Sequence, residues 1–244
     1  MSQLIRLLKS AGRTTGRPTA GFGTGRGPAR RRLILIAALD GADAAAAKKA
    51  IEAGADAVEV PGPSSGKTLD QIKSLVTGVP APIGVSFAGG LAANFDFKGI
   101  DEVGVDYIKV EAGDVPATVF LLENAAVVLE VRESFSEIML KMLNFLPAKA
   151  LQVDSPEDIQ GFTVKRLMEA RVDRELIGKP LLMRVGASIK PEAAQLLALI
   201  APNGLVVPAA NVGAWKEAVA DLKEPTDGDG ETGPISLRAP TTAA

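Results

Sequence analysis

Residues 33–61 read Leu33-Ile34-Leu35-Ile36-Ala37-Ala38-Leu39-Asp40, then Gly41-Ala42-Asp43-Ala44-Ala45-Ala46-Ala47-Lys48-Lys49-Ala50-Ile51-Glu52-Ala53, then Gly54-Ala55-Asp56-Ala57-Val58-Glu59-Val60-Pro61. The first run is continuously apolar, as a parallel strand covered on both faces should be. The Ala-rich middle has high helix propensity, and Gly54 stands where a left-handed residue would end the helix. The third run starts a second strand. Together they predict one βαβ unit.

Further copies follow along the chain. Strands are predicted at Pro82–Phe87, Tyr107–Glu111, Ala126–Val131, Ala150–Val153, Leu181–Val185 and Gly204–Val207, after the first two at Leu33–Leu39 and Ala57–Val60. Helical stretches separate them: Leu69–Val76, a segment near 97–103, Pro116–Asn124, 136–146, a region from Ser155-Pro156-Glu157 to about Ile177, one opened by Lys190-Pro191-Glu192, and Ala214–Leu222. Gly54-Ala55-Asp56-Ala57-Val58-Glu59-Val60 also lines up with Gly104-Val105-Asp106-Tyr107-Ile108-Lys109-Val110, fifty residues on. Two βα units fit that spacing, each helix ending at Gly before an Asp-led strand. Eight such units predict a compact (β/α)₈ TIM-type barrel over residues 33–223, with an open doubly wound sheet as the competitor.

The composition narrows the chemistry. The chain has no Cys and no His, which excludes disulfides, thiolate zinc sites, Cys nucleophiles, imidazole ligands and Ser-His-Asp triads. Aromatics are only 4%, so Ala, Val, Leu and Ile must build the core. The formal charge of −2 hides an asymmetry: residues 1–32 hold eight bases and no acid, leaving −10 on the rest. This basic N-terminal arm reads as a solvated lead-in capping the bottom of the fold, as a nucleic-acid contact, or as a transit peptide. Arg30-Arg31-Arg32 before the first apolar run mimics a signal peptide but lies too far from the N-terminus. A short amphipathic helix is expected at Leu4–Ser10. Residues 224–244 read as a disordered tail. No apolar run reaches membrane-spanning length, so a soluble, cytoplasmic protein is expected, and a homo-oligomer is compatible with the sequence.

Two glycine-rich stretches suggest nucleotide loops and fall short. Gly21, Gly23, Gly25 and Gly27 follow no strand and have the wrong spacing. Gly62-Pro63-Ser64-Ser65-Gly66-Lys67-Thr68 has Pro61 where a phosphate-binding P-loop needs its first Gly, leaving at most a looser anion site at the next helix.

Strand parity is more informative. One face of each strand must be apolar against the helices. Val58, Val60, Ile108, Val110, Leu129 and Val131 satisfy this, which turns Glu59, Tyr107, Lys109, Glu111, Glu130 and Arg132 inward. The same count turns Asp40, Ser86, Gln152, Asp154 and Arg184 inward. Five carboxylates and three bases thus converge on one cavity, where they must pair, meet a ligand or reach water at the C-terminal mouth. A satisfied ion-pair network filling an aromatic-poor barrel is the plainer account; a binding or catalytic site is the other.

The order of elements, the Gly-Ala-Asp-led strands and the Ala-rich helices resemble the aldolase-type and ribulose-phosphate-binding barrels over roughly residues 33–222. That resemblance implies a substrate phosphate held on the turns after strands seven and eight. Here those turns are Gly186-Ala187-Ser188 and Pro208-Ala209-Ala210, where such barrels usually show Gly-Gly and Gly-Ser. Asn211 and Gly213 would start the supporting helix. The resemblance implies a lyase- or isomerase-like enzyme acting on a small anionic metabolite, in one version phosphorylated. In the imine form Lys109 is a Schiff-base nucleophile with Glu111 or Glu130 shuttling protons, though nearby carboxylates favour a protonated lysine. In the enolate form some of Glu59, Glu111, Glu130 and Asp154 hold a hard cation such as Mg²⁺, with Glu111 and Asp154 the first candidates, and an Arg grips the substrate. Asp40, Ser86, Arg184, Gly186, Ala187, Ser188, Ala209 and Ala210 are the expected substrate contacts. A barrel without turnover, serving as a binding or scaffold module, is the alternative.

Overall fold

The computed structural model describes residues 2–11, 33–63, 66–87, 97–113, 115–131, 135–220 and 222. Residues 12–32, the greater part of the predicted basic arm, and 223–244, which include the predicted tail, lie outside them. Eight parallel strands close into a barrel in sequence order: β1 (Ile34–Ala38), β2 (Ala57–Pro61), β3 (Ile83–Ser86), β4 (Tyr107–Glu111), β5 (Ala126–Val131), β6 (Ala150–Asp154), β7 (Leu181–Arg184) and β8 (Gly204–Pro208). Closure comes from β1 pairing with both β2 and β8. Following the registers once around displaces the starting point by eight residues along β1, the shear of a (β/α)₈ barrel. The competing open sheet is thereby excluded.

Helices follow the strands as the apolar periods predict: α2 (Ala44–Ala53), α3 (Gly66–Gly78), α4 (Lys98–Val103), α5 (Glu137–Leu143), α6 (Val164–Leu176), α7 (Ala194–Ile200) and α8 (Val212–Ala220). After β4 the connection tightens to a 3₁₀ turn, Ala117–Leu121, in place of the expected helix. Asp43 caps α2 by accepting from Ala45 N, and Gly54 ends it at φ 114°. Gly104 closes α4 in the same left-handed way at φ 83°. The start of α6 differs from expectation. Pro156 does not open it; Thr163 does, accepting from Arg166 N, after a 3₁₀ turn capped by Asp158. No helix among the described residues is long and apolar enough to cross a membrane.

The core has two parts. The larger lies between strands and helices and gathers the outward parity of the sheet, including Leu35, Val58, Val60, Val85, Ile108, Val110, Leu129 and Met183. The smaller fills the lower barrel with inward residues: Ile34, Ile36, Ala57, Tyr107, Ala126, Val128, Ala150, Leu182 and Val206. Three of these nine are alanines, and the space they leave is taken by α1 (Gln3–Ala11), which packs Leu4, Ile5, Leu8 and Ala11 into the N-terminal mouth. Asp106, at the foot of β4, anchors α1. Its carboxylate accepts from Ser2 Oγ at 2.6 Å, Gln3 N at 2.6 Å and Leu4 N at 2.9 Å, an acidic partner for the positive end of the helix. Asn203 bridges at the other end, its amide donating to Leu8 O at 3.4 Å and accepting from Leu181 N at 2.8 Å. The barrel is sealed at its base and open above.

Candidate active site

The inward residues above the α1 plug are polar. Glu59 (β2), Lys109 (β4) and Gln152 (β6) are buried, Ser86 (β3) and Glu130 (β5) partly so, as parity requires. Lys109 is the centre. Its Nζ, fully enclosed, donates to Glu130 Oε2 at 2.6 Å and lies 3.8 Å from Glu59 Oε1. Glu130, with 16% of its side chain exposed, is the member of the trio that looks up towards the mouth.

Glu59 stands behind the pair. Burial drives its carboxyl above the ordinary range, opposed by the Lys109 and Arg184 charges and a hydrogen bond from Ser86, and reinforced by Glu130. A proton held on Glu59 leaves Lys109 and Glu130 as a neutral pair, which lowers the cost of burying three ionisable groups. Tyr107 reaches the same carboxyl, its hydroxyl donating to Glu59 Oε2 at 3.4 Å, and burial together with Glu59 pushes the phenol well above its usual value. The register explains that reach: Glu59, Gly84 and Tyr107 are neighbours across β2, β3 and β4, and the tyrosine ring occupies the space a side chain at position 84 would fill. A glycine inside a strand is the sequence signal for such a close approach.

Gln152 is different. It is completely buried, stands level with Glu130 across the β5–β6 pair, and neither Nε2 nor Oε1 has a hydrogen-bond partner among the described residues. A buried amide with both ends unpaired is costly, and sites that take a polar ligand group accept that cost.

At the C-terminal end of the strands a cavity of about 530 Å³ opens, lined by Ala38, Asp154, Arg184, Ser188, Val206 and Pro208 among others. The exposed Arg184 guanidinium makes no ion pair or hydrogen bond with the described residues, and its charge is felt at Glu59. Asp154 is exposed at the same mouth.

The turns after β7 and β8 differ in how their backbone is engaged. Gly186 N is already engaged, donating to Ser155 Oγ at 2.9 Å, while Ser155 donates onward to Pro156 O. A Cβ at Gly186 would meet the backbone of Pro156 and Glu157 at 2.7–2.8 Å, so this glycine exists to let the β6 and β7 loops touch. Ala187 and Ser188 are exposed on the cavity rim. Ala209 and Ala210 form a 3₁₀ turn with Asn211 ahead of α8 and fall outside the cavity lining, which stops at Pro208; Gly213 sits within α8.

Asp40 follows β1 as an exposed rim residue apart from the buried cluster. Glu111 is partly buried at the end of β4, level with Glu130. Glu111 and Asp154 are separated by β5, and among the described residues no three carboxylates gather as a metal-binding group. Arg132, Ser64 and Ser65 lie outside the described residues.

The sequence matches no protein-family model and no curated protein. Solved structures do share the fold. A 3-keto-L-gulonate-6-phosphate decarboxylase from Vibrio cholerae superposes with a TM-score of 0.63 at 18% identity, covering 78% of this chain and 98% of its own. The N-(5'-phosphoribosyl)anthranilate isomerase of Pyrococcus furiosus gives 0.58 at 15% identity, covering 78% and 100%. The thiamine phosphate pyrophosphorylase of the same organism gives 0.56 at 17%, covering 78% and 93%. At these identities the likeness is one of fold.

Proposed function

We propose that this barrel is a lyase- or isomerase-like enzyme that moves a proton at carbon next to a carbonyl in a small anionic metabolite. The observation that carries the reading is the buried Lys109–Glu130 pair, 2.6 Å apart, in a barrel whose C-terminal cavity is lined by Arg184, a guanidinium with no ion pair or hydrogen bond among the described residues. Glu130, the exposed end of the trio, is the general base: its carboxylate takes the proton from the substrate carbon and returns it at another position. Lys109, enclosed beneath it, supplies the counter-charge and positions it. Glu59 with Tyr107 and Ser86 forms the floor behind.

Arg184 grips the anionic group, and Ala187 and Ser188 present the adjoining backbone. The named substrates or products of the similar structures, a keto-gulonate 6-phosphate, a phosphoribosyl compound and thiamine phosphate, make a phosphorylated metabolite the first choice. Gln152 would meet a carbonyl or hydroxyl of the same molecule, which is what its unpaired amide offers. The imine form is disfavoured, because a neutral, attacking Lys109 would leave Glu130 without its counter-ion. A non-catalytic binding module is the second reading, favoured by the engaged N–H of Gly186.

The test is isotope exchange. Keto-sugar phosphates and 2-oxo acids are incubated with the protein in deuterated water and followed by proton NMR. Deuterium should enter next to the carbonyl of one class, and Glu130→Gln should slow this by about 10²–10⁴-fold. Binding without exchange across the panel would select the module instead. A Lys109 adduct trapped by borohydride would restore the imine route.

A further inference from the structure

From the cleft beneath α6 we infer that the substrate carries an apolar chain, and that this cleft receives it. The inference rests on the reading of Arg184 and Glu130 as the substrate-facing groups and adds the rest of the molecule. A cavity of about 810 Å³ begins at Glu130, Asp154 and Ser155, on the same mouth as the polar site, and runs outward between the β5–β7 wall and α5–α6. Asp154 and Ser155 line both cavities, so the two spaces adjoin at those residues. Its volume lies in the range of small-molecule sites.

Its walls are mainly apolar: Phe135, Leu140, Phe162, Leu167 and Met183 face it, with Arg166, Glu169 and Asp173 along the helix side. The helix that should seal this flank does not. α6 is thirteen residues long and none of them is buried. Phe135, Val153, Phe162, Leu167 and Ala170 pack against the core yet remain only partly buried. Elsewhere α2, α4, α5, α7 and α8 each bury at least two residues. Interiors are otherwise filled to crystal-like density, so an apolar gap that borders a charged site points to an amphiphile: anion at Arg184, chain under α6.

Photolabelling with two alkyl phosphates, one short and one of twelve carbons, each with a terminal diazirine, tests this below micelle concentration. The long probe should label cleft residues such as Phe162, Leu167 and Met183, and the short one only the mouth. Dodecyl phosphate or farnesyl phosphate should displace the long probe at least about tenfold more strongly than inorganic phosphate, and the better of the two tells a straight chain from an isoprenoid. Ala170→Trp should block labelling by the long probe and spare the short one, with the circular dichroism of the wild type. Labels confined to the outer Met142 and Met168, equal displacement by inorganic phosphate, or undiminished cleft labelling in Arg184→Ala would overturn it. None of these readouts depends on proton exchange, so a failure of the catalytic reading shows separately, in Glu130→Gln.

Discussion

Replacing Gln152 by Met should make the protein more stable and a worse binder. The side chain is fully buried and both polar atoms lack partners among the described residues. A buried donor or acceptor left unsatisfied costs about 1–3 kcal/mol, and removing it with an apolar group of like shape recovers that cost. Met matches the length and volume of Gln, so packing strain should stay under about 1.5 kcal/mol, the usual range for volume-conserving swaps. The net expectation is a gain of about 1–2 kcal/mol. For an ordered domain of this size that is a rise in Tm of roughly 2–8 °C. Urea unfolding is the assay, with an unchanged m-value showing that the two states are the same. The same variant should bind the exchanging substrate at least about tenfold more weakly, since one hydrogen bond to a buried amide is lost. A variant less stable than wild type would mean that the amide is bonded within the fold, and the argument that it awaits a ligand would collapse.

Other expectations follow from the same cluster and from the plug. Lys109→Met removes the cation shared by Glu130 and Glu59 and should cost about 3–5 kcal/mol, while Lys109→Met with Glu130→Gln should recover much of it. Denaturation of the four proteins of that cycle measures the coupling, and additive losses would refute the pair. Glu59 holds its proton to higher pH when folded than when unfolded, so the native state binds more protons above its ordinary value of 4.5 and stability falls as pH rises towards the raised value. Glu59→Gln should remove that fall, its advantage over wild type growing with pH across the window; parallel pH profiles would contradict it. Leu8→Ala, at a fully buried plug position, should cost about 2–5 kcal/mol, checked by Cm; a loss below 0.5 kcal/mol would mean that α1 is not held in the barrel.

Parity made the polar cluster legible. Val58, Ile108 and Leu129 had to face helices, so Glu59, Lys109 and Glu130 had to face each other, and no further information was needed. What parity cannot supply is register and loop contact. That Tyr107 lies over Gly84 to reach Glu59 follows from a three-strand alignment that no single strand encodes. That Gly186 N donates to Ser155 depends on two loops meeting thirty-one residues apart in sequence. The periodicity of α1 marks it as amphipathic, and capping the bottom of the fold is one of the readings of the arm; that it inserts was hidden, because the hole it fills exists only between strands that carry Ala57, Ala126 and Ala150. Pro156 gave the wrong helix start, since a proline suited to a first turn is equally suited to the loop that Thr163 terminates.

The plug also sets an order of events during synthesis. The seat of α1 is assembled from strands spread between Ile34 and Val206, and one of its tethers is Asn203. A nascent chain therefore carries a greasy helix with nowhere to dock until its eighth strand has left the ribosome and met its first. Pulse-labelled hydrogen exchange should find the amides of residues 4–11 protected only after those of β1 and β8, making a segment synthesised before every strand the last to settle.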